Sequence, residues 1–128
     1  MANIAPRAVE IASGGQFPGA SYVYKWPTVT NADTPTLCEV MGFEHLVFMA
    51  VGTFGAATVL LKGTLNPSMS AADHIQLQDL NGNNISFTAD GIKRVQQVPL
   101  VSVLPTHSGG GGTESIDLYL VLYTTRRR

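Results

Sequence analysis

Three histidines, one cysteine and a short run rich in Asp and Asn are the residues of this chain whose chemistry could be put to use. His45 follows Glu44, and His74 follows Asp73, the pairing of an imidazole base with a carboxylate that would orient it. Neighbouring residues of a strand point to opposite faces, so neither pair is placed to work as base and orienting group, and a structural or edge histidine is expected at both. His107 stands apart. None of the three is spaced with another His or with Cys38 as zinc ligands are. Asp79-Leu80-Asn81-Gly82-Asn83-Asn84 has the oxygen-rich character of a calcium loop. Its glycine comes too early, however, and no bidentate glutamate follows, so a hairpin turn accounts for it. Cys38 has no basic neighbour and reads as a buried free thiol. The glycine run at 109–112 lacks the Lys-Ser/Thr pair and following helix of a phosphate loop, and reads as a flexible tip. The expectation is a protein that is not an enzyme, with no catalytic residue, metal or cofactor.

Two other patterns point to contact. Tyr22, Tyr24 and Trp26 fall on one face of a strand. Such a stripe could stack on sugar rings, fill an inter-sheet core, or form a subunit contact in which rings supply area at low entropic cost. Arg126-Arg127-Arg128 could touch phosphates, but three charges bind nucleic acid weakly and no other basic surface supports them. A solubilising end, or a tail docking on an acidic patch of a partner, is the expectation.

The elements that would position these residues are strands. In the run 115–124, Ile116, Leu118, Leu120 and Leu122 share one face, while Tyr119, Val121 and Tyr123 share the other with Asp117. A strand with one face in water should be polar on that side. Both faces here are apolar, which requires a second cover, read as another subunit. Residues 44–51 are apolar on both faces, as a central strand would be, and with 56–65 across a Gly-bearing turn they read as a hairpin. Alternation marks 7–12 and 21–26, the latter ended by Pro27. Residues 34–36 read as loop, 37–41 as a short strand, and 66–72 as loop or one helical turn. Asn81-Gly82 suits a type I′ turn between 74–78 and 84–88. Residues 92–98 fit a strand or one helical turn, and 100–104 a strand closed by Pro105. About 8–10 short antiparallel strands in one domain spanning 1–128 give an all-β, jelly-roll-like β-sandwich. Residues 1–13 read as a possible N-terminal arm on a neighbour, and 126–128 as a basic tail.

Composition agrees. Hydrophobic residues make up 45% of the chain and charged ones only 13%, against about 25% charged in an ordinary soluble domain. Uncharged polar residues suit a surface kept in permanent contact. A formal net charge of −1 gives no long-range pull toward nucleic acid or an acidic membrane. A single Cys needs no oxidising compartment. The start of the chain lacks a signal-peptide pattern, and the run 46–51 is far short of the roughly 20 apolar residues that span a bilayer. Synthesis in a host cytoplasm, with no membrane and no nucleic acid as partner, is the expectation.

Residues 51–63 resemble a segment of small structural proteins of tailed bacteriophages, in which a hairpin leads through a variable loop to a Ser-Phe-Thr-Ala-x-Gly-Ile stretch. That stretch stands here as Ser86-Phe87-Thr88-Ala89-Asp90-Gly91-Ile92. A polar or basic segment, a Leu-x-x-x-Leu-Pro run at 100–105 and a Gly-rich loop before the last strand complete a likeness over residues 43–125. Residues 65–69 replace the family's Gly/Asn/Trp-containing hairpin, and the strand from Tyr22 to Trp26 does not align with it. The resemblance implies a jelly-roll capsid decoration, or cement, protein. It would sit on the virion surface as a trimer and brace the major capsid protein. The contact residues expected are Tyr119, Val121 and Tyr123, with Tyr22, Tyr24, Trp26, Arg126, Arg127 and Arg128. A carbohydrate- or receptor-binding jelly roll of a virion is the alternative.

Overall fold

A computed structural model describes residues 2–4, 7–12, 21–30, 33–109 and 112–124. The strands are β1 (Ala2–Ile4), β2 (Arg7–Ala12), β3 (Ser21–Val29), β4 (Asp33–Pro35), β5 (Cys38–Glu39), β6 (His45–Thr53), β7 (Thr58–Thr64), β8 (Ile75–Gln76), β9 (Ser86–Phe87), β10 (Gly91–Arg94), β11 (Ser102–Ser108) and β12 (Ser115–Tyr123). One 3-10 turn spans Ala71–Asp73. The first sheet runs β10-β6-β12-β3-β2; the second runs β5-β11-β7-β8 with β9 also on β7; β1 and β4 form a parallel pair. From β3 onward the chain crosses repeatedly between the large sheets, with β3, β6, β10 and β12 in the first and β5, β11 and the consecutive strands β7, β8 and β9 in the second. This is the connectivity of a jelly-roll sandwich.

Period-two alternation builds the core. In β12 the inward residues Ile116, Leu118, Leu120 and Leu122 are buried. The register places Ala50, Phe48 and Leu46 of β6 beside the last three on one side, and Trp26, Tyr24 and Tyr22 of β3 on the other. Facing them from the second sheet are Val59, Leu61, Val103 and Phe87, all buried. Phe48 sits between Trp26 and Phe87, at ring distances of 6.4 and 5.8 Å. The indole N–H of Trp26 donates to the Thr36 carbonyl at 2.9 Å, so the largest core side chain also satisfies its polar atom.

Several expectations are corrected. Strands β6 and β7 are not a hairpin: they lie in opposite sheets, and the connection pivots across the sandwich with Phe54 buried beneath it. Gly52 makes the pivot possible. Its φ is 140°, and a Cβ there would lie 2.3 Å from the Ser115 carbonyl oxygen. Strand β3 continues through Pro27, with Thr28 at φ 45° and a register shift against β12. Pro35 ends β4 rather than lying in a loop, and Pro105 sits inside β11. Prolines survive in strands where the missing N–H faces away from a ladder. The turn at 79–82 is not type I′: Gly82 alone is left-handed, its N–H donating to the Asp79 carbonyl at 3.0 Å, as in a type I turn with a following glycine. The Asp79 carboxylate accepts from the Asn81 and Asn83 amides, and Lys93 Nζ lies 3.7 Å away, so this loop is tied up by its own chain. Within residues 1–13, β1 pairs with β4 and β2 with β3.

Replacing Gly52 by Ala is expected to cost about 3 kcal/mol, roughly 10 °C in Tm for a chain of this size. Thermal unfolding followed by circular dichroism measures it; an unchanged midpoint would show that the pivot tolerates a side chain.

Candidate interaction surface

The parity that buries the inner face of the first sheet fixes its outer face, and the ladders give the rows. Across the middle run Val23, Val121, Val47 and Arg94; the next row holds Lys25, Tyr119, Met49 and Ile92; beyond it lie Asp117 and Val51, and at the other end Tyr123 and His45. Tyr119, Val121 and Tyr123 are half-buried, as are Val23, Val47, Met49 and Val51. Ile92 is 65% exposed. The outer face is therefore apolar through its centre and polar at two corners.

Each corner is internally paired. Lys25 lies 3.7 Å from Asp117 and over the Tyr119 ring at 5.3 Å. Hydrogen bonding to Tyr119, then the charge of Asp117, raises the Lys25 pKa above its ordinary value. Asp117 also accepts the Thr28 amide at 2.8 Å. At the other corner the His45 and Tyr123 rings stack at 4.6 Å, and the Arg94 guanidinium donates to the Tyr123 hydroxyl. His45 is thus a stacking partner here. Charges already matched within a face lose less on being covered than isolated ones do.

The stripe Tyr22, Tyr24 and Trp26 is on the opposite side of the same sheet. Trp26 is fully buried, which removes it from the expected contact set and from any glycan groove. Tyr22 and Tyr24 are half-buried and pack against the core, Tyr22 edge-on to Phe43 at 5.4 Å. Burial, followed by the proximity of Cys38 and Tyr22, raises the Tyr24 pKa. Arg126, Arg127 and Arg128 lie outside the described residues.

The remaining reactive groups are locked into the fold. His74 is 5% exposed, with Nδ1 2.9 Å from the Ser70 carbonyl and Nε2 2.7 Å from Ser102 Oγ. The carbonyl can only accept, so Nδ1 carries a proton; in the neutral ring the Ser102 hydroxyl donates to Nε2. Sequence reading missed this pair because 28 residues separate its members. Ser102 is fully buried, so the bond ties the 3-10 turn to β11. Cys38 is buried, and desolvation, with Glu39 adding to it, pushes its pKa up to about 12. Among the described residues no group of three or more His, Cys, Asp or Glu is placed to hold a metal ion, and no helix is long and apolar enough to cross a membrane.

No family model matches the chain. No curated protein matches it either. Among solved structures, the SPBc2 prophage-derived protein YomS is similar over 88% of this chain and 100% of its own, with a TM-score of 0.61 and 7% identity. At that identity the likeness is one of fold. The K2 cleaved adhesin domain of Lys-gingipain matches 89% of this chain and 69% of its own, at a TM-score of 0.43 and 8% identity. CapF with 3-isopropenyl-tropolone matches 91% and 27%, at 0.32 and 10%. Likenesses of that size carry no argument.

The thiol supplies a test of burial. Its folded pKa lies above the unfolded one, so its contribution to stability is complete below about pH 9 and is lost as pH rises toward about 12. Relative to Cys38→Ala, the native chain should lose stability across that window, as measured by urea midpoints. A thiol reagent should label Cys38 at pH 8 only on unfolding. Parallel pH profiles, or rapid labelling of the folded chain, would place the thiol at the surface.

Proposed function

We propose that this chain is a structural virion protein, a capsid decoration or cement protein that binds and stabilises the assembled head of a tailed phage as a homo-oligomer. The trimer is the form implied by the family it resembles. The outer face of the first sheet carries this reading. Four strands wide and up to nine residues long, it measures about 20 by 30 Å, or roughly 600 Å². A standard interface takes about 800 Å² from each partner. A second copy of the chain is its occupant: apolar rows need a permanent cover, and only another subunit is present wherever the protein is made. The major capsid protein is the second partner, met through the remaining surface on the outside of the head.

The phage origin of the protein YomS, whose fold this chain shares, supports the same reading. So does the chemistry of the chain. Bracing a shell against internal pressure calls for a rigid unit and broad contact, and the buried groups His74, Ser102 and Asp79 hold loops in place. The carbohydrate-binding alternative loses its main support with Trp26 closed off in the core.

Sedimentation equilibrium at micromolar concentration should give the mass of a trimer, and the protein should pellet with assembled heads but not with free coat subunits. Val121→Asp should leave the fold intact, since that residue is half-buried on the outer face. It should raise the dissociation constant of the oligomer by about a hundredfold, near 3 kcal/mol, by burying an unpaired charge. A monomeric native chain, or a Val121→Asp variant that assembles as before, would overturn the proposal.

A further inference from the structure

A cleft of about 610 Å³ opens between residues 33–37 and the far half of β11. Its cause is a local parting of the chain. Strand β5 pairs with β11 only at Ser102 and Val103. Before it, Thr36 is held by the Trp26 indole and β4 turns to pair with β1, so these residues leave the β11 edge. His107 Nε2 meets the Asp33 carbonyl oxygen across the gap at 2.6 Å. Pro35, Leu37 and Leu104 make apolar walls, and Asp33 and Glu114 are the acidic residues that line it, with no Lys or Arg among the lining residues. Glu114 is only 3% exposed. One of its oxygens accepts the Gly112 amide at 2.9 Å; the other, Oε2, is buried with no hydrogen-bond partner among the described residues. A buried carboxylate oxygen lacking a donor is costly, and buried polar groups nearly always have partners.

We infer that this cleft receives the run Arg126-Arg127-Arg128 of a second copy, an inference that rests on the oligomer proposed above. Charge and shape agree. A guanidinium presents several donors in one plane to a carboxylate, while its methylene stem packs on apolar walls. Lys25, Lys93 and Arg94 already have partners within the fold. Reach excludes the chain's own run. Glu114 precedes β12 and Tyr123 ends it, a separation of about 30 Å along the strand. Arg128 stands five residues beyond Tyr123, which extends at most about 18 Å. The contact therefore joins the tail end of one copy to the cleft end of the next. Such a heterologous contact closes into a ring when its rotation is a whole fraction of a turn, as a trimer requires.

Sedimentation equilibrium of the full chain at low and high salt tests this, with circular dichroism to verify folding. The native oligomer should weaken about tenfold or more between 50 and 500 mM salt through screening of the arginine charges. The triple variant R126S/R127S/R128S should dissociate about 10- to 100-fold more readily at low salt and lose the salt response. E114Q should shift dissociation in the same direction, and adding it to the triple variant should cause no further loss, because the two act on one contact. T106R, on a half-exposed wall of the cleft, should mimic the triple variant without touching Glu114. A triple variant with the native mass and salt response overturns the inference while leaving the oligomer standing. So do additive effects of E114Q and the tail changes, or an intact oligomer whose head binding alone is lost, which would give the cleft to the coat protein. A native chain that is monomeric throughout removes the oligomer and this contact together.

Discussion

Strand β12 lies between β3 and β6, so its hydrogen-bonding edges are both occupied and its side chains have only two directions left. The inward set is fixed by packing: Leu118, Leu120 and Leu122 lie in one layer with Trp26, Phe48 and Leu46, and a slip of one residue would exchange every side chain between core and surface. Tyr119, Val121 and Tyr123 must then face outward, together with Val23, Val47 and Met49 of the flanking strands. An apolar exterior is thus a consequence of one central strand having no polar face to offer. The corners where Lys25, Asp117, Arg94 and Tyr123 pair limit that exterior without interrupting it.

The second sheet meets a different demand. Where its short strands meet, side-chain amides add to the backbone bonds between Leu61, Leu77 and Ile85. The Gln76 amide nitrogen lies 2.7 to 3.2 Å from the carbonyls of Leu61, Leu77 and Ile85, where β7, β8 and β9 converge. Gln97 and Gln78 bond to one another across the next junction. His74 and Ser102 do the same beneath the 3-10 turn. Each of these groups is turned toward a backbone or side-chain partner, as scaffolding is.

Much of this was legible in the sequence because alternation is a local signal. The runs at 44–51 and 115–124 emerged as strands with two apolar faces, the first as a central one, and the sandwich class followed from the number and brevity of the strands. What failed depended on distant partners. Pro27, Pro35 and Pro105 look like strand breakers, yet whether a missing N–H matters depends on which neighbour lies on that side. The turn at 52–57 looks like a hairpin, because nothing nearby reveals that Gly52 must clear the carbonyl of Ser115. The aromatic stripe was recognised as a face, but which face of the sheet it occupied was decided by the register of β3 against β12. Glu114 carries no local signal at all; a lone glutamate before a strand becomes notable only when 33–37 and β11 part beside it.

The alternation of the chain between the two large sheets has a mechanical meaning. Consecutive strands never complete one layer by themselves, so each sheet is assembled from pieces far apart in the chain, and neither can be peeled away while the other stays whole. Such a topology is slow to form, because distant segments must meet before any contact rewards them. The same topology ties each sheet to the other through the crossings between them, so neither layer is independent of the other. In the capsid role proposed above, such a fold would trade assembly speed for endurance.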